Sequence, residues 1–218
     1  MLSAFPYLLT GVGRAVDLCC APGSWTQTLA RKILNGEVSD KRVISVDLQA
    51  MAPVEGVTIL QGDITEQTTA ESIIKAFDGK LADLVVCDGA PDVTGLHDID
   101  EYNQAQLLLA AMNIATCVLR PGGTFLAKMF KGNETVHLVS QMKVLFTHVT
   151  ISKPRSSRAA SAEAFVVCVG YRPPVGYTPT LSNAFLDSDS YTADNLSAAN
   201  ACYEPFLTCG DINKAVPS

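Results

Sequence analysis

Short apolar, β-branched runs recur along the chain, with amphipathic stretches between them. RAVDLCC (14–20), RVISVDL (42–48), VTILQGD (57–63), ADLVVCDGA (82–90), GTFLAKMF (123–130), VTISKP (149–154) and AFVVCVGY (164–171) read as strands. Most are too continuously apolar to alternate, as strands buried on both faces are. Residues 24–34, 65–77, 99–119 and 134–146 read as helices. The second is expected to open on the Thr65 hydroxyl as N-cap with an acidic first turn. The third stops before Pro121-Gly122-Gly123, and the fourth follows Asn133 as its cap. Such alternation predicts an α/β protein: a doubly wound, mostly parallel seven-stranded sheet with right-handed crossovers. Only RSSRAASAE (155–163) separates the last two runs. That is too short for a helical crossover, so a hairpin and a C-terminal antiparallel strand are expected.

Beyond Tyr171 the pattern stops. RPPVGYTPT leads into a Ser/Asn/Asp-rich segment, so residues 1–172 read as one domain and 173–218 as an irregular tail laid on it or extending from it. No uninterrupted apolar stretch is long enough to cross a bilayer, and MLSAFPYLL lacks a basic leader, which points to a cytoplasmic protein without a membrane partner. The seven cysteines form no CxxC pair and mostly sit inside apolar runs, so they read as buried thiols, with no metal site implied. A net charge of −6 argues against gripping a polyanion through bulk charge. A nucleic-acid partner would need a local basic patch.

Open parallel sheets bind ligands beyond the carboxyl ends of their strands. Those ends carry Asp17 before Ala21-Pro22-Gly23, then Asp47, Asp63, Asp88 and Lys128. A dinucleotide site would require G-x-G-x-x-G after the first strand, which is absent; GVG at 11–13 precedes that strand. Acids at four successive ends, with one turn glycine and an aromatic, suit a nucleoside carrying a cationic group. S-adenosylmethionine is such a molecule, with Asp47 placed to hold ribose hydroxyls. Asp17 either holds the methionine amino group or shapes the turn, and Trp25 either lines the pocket or anchors the core.

DLCCAPGSWTQ, VISVDL, GDIT, CDGAPDVTGLHDIDEYNQAQL, RPGGTFLAKMFKG and KPRSSRAASAEAFVVCVGY occur in this order across residues 14–171. Together they resemble the FtsJ/RrmJ family of S-adenosylmethionine-dependent RNA 2′-O-ribose methyltransferases. PFLTCGD (205–211) resembles the end of the eukaryotic tRNA anticodon-loop members. The resemblance implies a Rossmann-like methyltransferase fold, S-adenosylmethionine as cofactor and tRNA as substrate, with rRNA or an mRNA cap as the other RNA targets. It implies a cofactor site at Gly23, Trp25, Asp47, Asp63 and Asp88. It also implies three members of a Lys-Asp-Lys-Glu tetrad at Asp88, Lys128 and Glu163. Lys128 is then either the base or, if it stays charged, a stabiliser of the alkoxide with Asp88 accepting the proton. The family's first lysine would fall in a segment like SAFKL, where this chain reads SAFPYLL with Pro6. That departure raises a second reading, a catalytically impaired cofactor-binding subunit. Lys131, Lys153, Arg155 and Arg158 would supply the RNA-facing charge, and relatives of this kind work with an auxiliary protein subunit.

Overall fold

A computed structural model describes residues 6–92, 94–132, 135–154, 157–158, 161–177 and 179. After a 3-10 turn at Pro6–Leu9 come β1 (Arg14–Leu18), α1 (Ser24–Ile33), β2 (Arg42–Asp47), β3 (Val57–Gln61), α2 (Gln67–Ala76) and β4 (Ala82–Cys87). Then follow α3 (His97–Val118), β5 (Leu119–Phe130), α4 (Thr135–Leu145), β6 (Phe146–Ser152) and β7 (Glu163–Tyr171). The seven strands form one sheet in the order β3-β2-β1-β4-β5-β7-β6. The pairs among β1 to β5 are parallel, and β7 runs antiparallel to both β5 and β6. The expected doubly wound α/β sheet and its terminal hairpin are therefore present. The antiparallel strand is inserted between β5 and β6, so the sheet's edge is β6, whose residues are mostly part-exposed or exposed.

Several boundaries differ from expectation, each for a local reason. α2 starts at Gln67, behind Glu66, with no acid in its first turn. Thr65 is not its cap, since it lies one residue before the cap position at Glu66; its N–H and hydroxyl are instead donated to Asp63 Oδ1 at 2.8 and 2.7 Å. β5 begins at Leu119 and carries Pro121-Gly122-Gly123 inside its irregular start, where its register against β4 shifts. The last helix ends at Leu145, so Phe146 opens β6. Asn133, expected as the cap of α4, lies outside the described residues, as does most of the proposed tail.

Helix patterning fixes how the layers stack. In α1 the buried residues Thr26, Leu29, Ala30 and Ile33 recur at helical spacing, and Arg31 and Lys32 in the last turn complement the helix dipole. One core joins Val16, Leu18, Ile44, Val85 and Phe125 to α2, α3 and α4 through Ile73, Met112 and Met142. The other joins Ala15, Val43, Leu84, Val86, Leu126, Phe165 and Val167 to Leu29 and Ile33 of α1. Because strand side chains alternate, Asp17, Asp47 and Lys128 point to the α1 face of their strands, as do Glu163 and, one residue past β4, Asp88. Five chemistry-bearing side chains thus share one face at one rim of the sheet.

Candidate functional site

The β1–α1 turn forms the floor of this rim. Asp17 is fully buried and accepts the Thr26 hydroxyl on Oδ2 at 2.6 Å. Since that hydroxyl donates to Asp17, the Ser45 hydroxyl 3.0 Å away must donate to Thr26, giving a short chain of aligned dipoles. Asp17 Oδ1 has no partner among the described residues. Burial, reinforced by the charges of Asp88 and Asp47, pushes this carboxyl up to about 7. Gly23 caps α1 at φ 109, and a Cβ there would come within 2.7 Å of Met51 Sδ. Only glycine fits that left-handed turn and that close approach. Trp25 is half-buried and stacks on Phe165, ring centroids 5.6 Å apart, joining α1 to β7.

Asp47 and Asp63 end the next two strands and are only partly buried. Asp47 accepts Ala21 N–H on Oδ2 and Gln49 N–H on Oδ1, both at 2.8 Å. Each oxygen keeps a second lone pair, so the carboxylate is held rigidly and can still receive a pair of vicinal hydroxyls. Asp63 is committed to Thr65 through Oδ1, which leaves Oδ2 for a donor.

Across the rim, Lys128 Nζ donates to the Asp88 carbonyl oxygen at 3.0 Å and lies 2.9 Å from Asp88 Oδ1. The second contact is an ion pair without hydrogen-bond alignment, so the buried Oδ1 has no aligned donor. The Lys128 and Asp88 side chains keep 17% and 30% exposure, enough for a substrate group to reach them. In the β5–β7 ladder, Lys128 faces Phe165 and Phe130 faces Glu163. Glu163 is therefore the diagonal neighbour of Lys128 on the same face, within about 8 Å.

Comparison with known proteins fits this geometry. The family described as FtsJ-like methyltransferase matches residues 1–171. The chain belongs to that family. It is 58% identical over 208 residues to a human tRNA (cytidine(32)/guanosine(34)-2′-O)-methyltransferase, covering 94% of this chain and 62% of that protein. It is 49% identical to a Drosophila melanogaster tRNA (guanosine(34)-2′-O)-methyltransferase over 79% of this chain and 55% of that one. A crystal structure from Plasmodium falciparum, named as a ribosomal RNA methyltransferase, superposes with a TM-score of 0.68 at 26% identity, covering 76% of this chain and 91% of the other. The chain spans about three fifths of the length of the first curated relatives it matches.

The remaining sequence candidates of this FtsJ-like domain divide. Lys131 and Arg158 are exposed, whereas Lys153 is half-buried and donates to the Ser161 carbonyl at 2.8 Å, tying the β6–β7 connection together. Arg155 and residues 3–5 of SAFPYLL lie outside the described residues. Among the described residues no group of three His, Cys, Asp or Glu could hold a metal ion, and no helix is long and apolar enough to cross a membrane. Cys19 packs beside Gly89, and its thiol is pushed up by the hydrogen bond it shares with Cys87 as donor and by burial, which keeps it protonated. Sequence reasoning missed Thr26 and Ser45, which orient Asp17, and Met51, which meets Gly23. It also missed Asp100, whose carboxylate accepts Thr94 N–H at 2.7 Å and folds the loop after β4 onto α3. That backbone bond chiefly holds the Asp100 carboxyl below its ordinary value. Asp100 stands among the polar residues that open α3, where an acid is ordinary, so the sequence carried no signal for this bond.

Proposed function

We propose that this domain transfers a methyl group from S-adenosylmethionine to a ribose 2′-hydroxyl of RNA, and that anticodon-loop nucleotides of tRNA are its substrate. The observation that supports this most directly is the Lys128–Asp88 pair, reachable from the rim and 2.9 Å apart, beside a row of strand-end carboxylates. The donor set suits the cofactor: Asp17 Oδ1 is buried without a partner and Asp88 Oδ1 without an aligned one, so both favour an incoming cation or donor. Asp47 would hold the ribose hydroxyls, Asp63 the adenine amino group, and Gly23 would let the backbone approach the methionine moiety, with Trp25 bracing the turn. The cofactor supplies an electrophilic methyl on a sulfonium.

Among the described residues Lys128 Nζ meets two acceptor oxygens, both of Asp88, which aim its N–H donors at the rim. So held, it orients the 2′-oxygen and stabilises negative charge developing there. As the methyl–sulfur bond breaks to leave a neutral thioether and the new C–O bond forms, the hydroxyl would become far more acidic than a free alcohol and Asp88 would accept its proton. Glu163, on the same face of the neighbouring strand, would add negative charge near the ammonium without pairing with it directly. Lys131 and Arg158 would meet backbone phosphates beside the target. Residues 1–172 would form the catalytic domain with 173–218 as its tail, working in the cytoplasm with an auxiliary subunit that helps hold the tRNA.

Tritiated methyl transfer to an unmodified tRNA transcript, with and without such a subunit, should place label on a 2′-oxygen. Lys128→Ala should lower the rate by about 10²-fold or more. Label on a base, or an undiminished rate in the variant, would refute the assignment.

A further inference from the structure

Gln104 sits in the second turn of α3 and is 2% exposed, on the side of the sheet away from α1. Its amide Nε2 donates to two main-chain carbonyls, one just past the end of β4 and one in β5: Gly89 O at 3.2 Å and Lys128 O at 3.1 Å. Those carbonyls belong to the residue after Asp88 and to Lys128 itself. Lys128 Nζ in turn donates to the Asp88 carbonyl. The bonds close a ring: Lys128 side chain to Asp88, along the peptide to Gly89, through Gln104, and back to the Lys128 main chain. Gly89 is also closely packed, since a Cβ there would come within 2.8 Å of Cys19 Sγ and 3.0 Å of Leu107 Cδ2.

The ring does what sheet pairing alone does not. The β4–β5 ladder ends at Cys87 and Ala127, one residue short of Asp88 and Lys128. Past that point no ladder bond fixes the separation of the two strand ends; the Gln104 amide takes over. Its orientation is determined, because the reversed amide would aim an oxygen at two carbonyl oxygens. The same orientation leaves Gln104 Oε1 buried without a partner among the described residues. An aliphatic residue would avoid that desolvation cost, so the two donated bonds are what distinguish glutamine here.

We propose, on the methyl-transfer reading given above, that Gln104 is a positioning residue: it sets the distance between Asp88 and Lys128 from behind the sheet and touches neither cofactor nor RNA. The effect belongs to turnover, not to binding. Gln104→Met keeps length and volume but removes the donor. Gln104→Glu keeps the shape and turns acceptors toward the two carbonyls. Methyl transfer by the full chain, cofactor binding by calorimetry and thermal unfolding are measured for wild type and both variants. The expected result is a kcat lowered about tenfold in Gln104→Met and further in Gln104→Glu, with KM and the cofactor dissociation constant within about twofold of wild type. If the residue merely fills space, the isosteric Gln104→Met retains wild-type turnover, whatever the buried carboxylate of Gln104→Glu does, and the proposal falls. It falls equally if kcat is unchanged in both, or if the loss follows weakened cofactor binding. Crystal structures of the variants test the ring without reference to activity: retention of the Lys128–Asp88 carbonyl contact at its present length in both would overturn it. A wild-type protein that transfers no methyl to tRNA overturns the assigned reaction instead, and the crystallographic comparison still decides the role of Gln104.

Discussion

Replacing Asp17 by asparagine isolates the electrostatic load carried under the rim. The native carboxyl lies at about 7, raised from 3.8 mainly by burial. Between those values the folded protein holds a proton that the unfolded chain has released, so folding stability falls as pH rises through the window. Below it both states are protonated and the penalty vanishes; above about pH 7 the penalty is complete. A displacement of about three pH units at about 1.4 kcal/mol each corresponds to about 4 kcal/mol. Asparagine does not titrate, and its carbonyl can still accept the Thr26 hydroxyl, so the variant lacks the slope. Any cost of its unpaired amide is the same at every pH. Urea unfolding of both proteins at pH 4, 5, 6, 7 and 8 and fixed ionic strength measures the difference. The free energy of Asp17→Asn relative to wild type should rise by about 4 kcal/mol across that series. A difference constant to within about 1 kcal/mol would show that Asp17 titrates as an ordinary carboxylate and that its burial is relieved by a route absent from this structure.

Two further substitutions test the turn that Asp17 supports. Gly23→Ala combines a disfavoured φ of 109 with a Cβ 2.7 Å from Met51 Sδ, so it should cost about 1–3 kcal/mol in unfolding free energy and weaken cofactor binding in calorimetry. Adding Met51→Ala should relieve only the steric part. Trp25→Ala removes a half-buried ring stacked on Phe165 and should cost about 2–3 kcal/mol by denaturant titration; an unchanged midpoint would show that the stack does not anchor α1 to β7.

The legible part of the fold is the part built from local signals. Continuous apolar runs such as ADLVVC and the short link before Glu163 announced a buried parallel sheet and a hairpin, and the carboxylates at strand ends announced the rim. The hairpin's place in the sheet was not legible, because either of its strands could have met β5 without changing the link's length. Thr65 misled because a hydroxyl before an apolar-periodic run reads as a cap, whereas the helix starts one residue too late for it, behind Glu66, and the Thr65 hydroxyl donates back to Asp63. The support of Asp17 by Thr26 and Ser45, and the reach of Gln104 to Gly89 and Lys128, join residues from separate elements. No periodicity within one element encodes such bonds, so only the assembled layers reveal them.

The reversed strand β7 has an architectural consequence. Because it runs against β5 and β6, its first residue, Glu163, lies where those strands finish, at the rim that carries Lys128, instead of at the opposite pole of the sheet. A change at the start of β7 therefore acts at the same rim as Asp88 and Lys128, while β1 and β2 stand on the other side of β4 and β5 in the sheet and keep their own strand-end carboxylates.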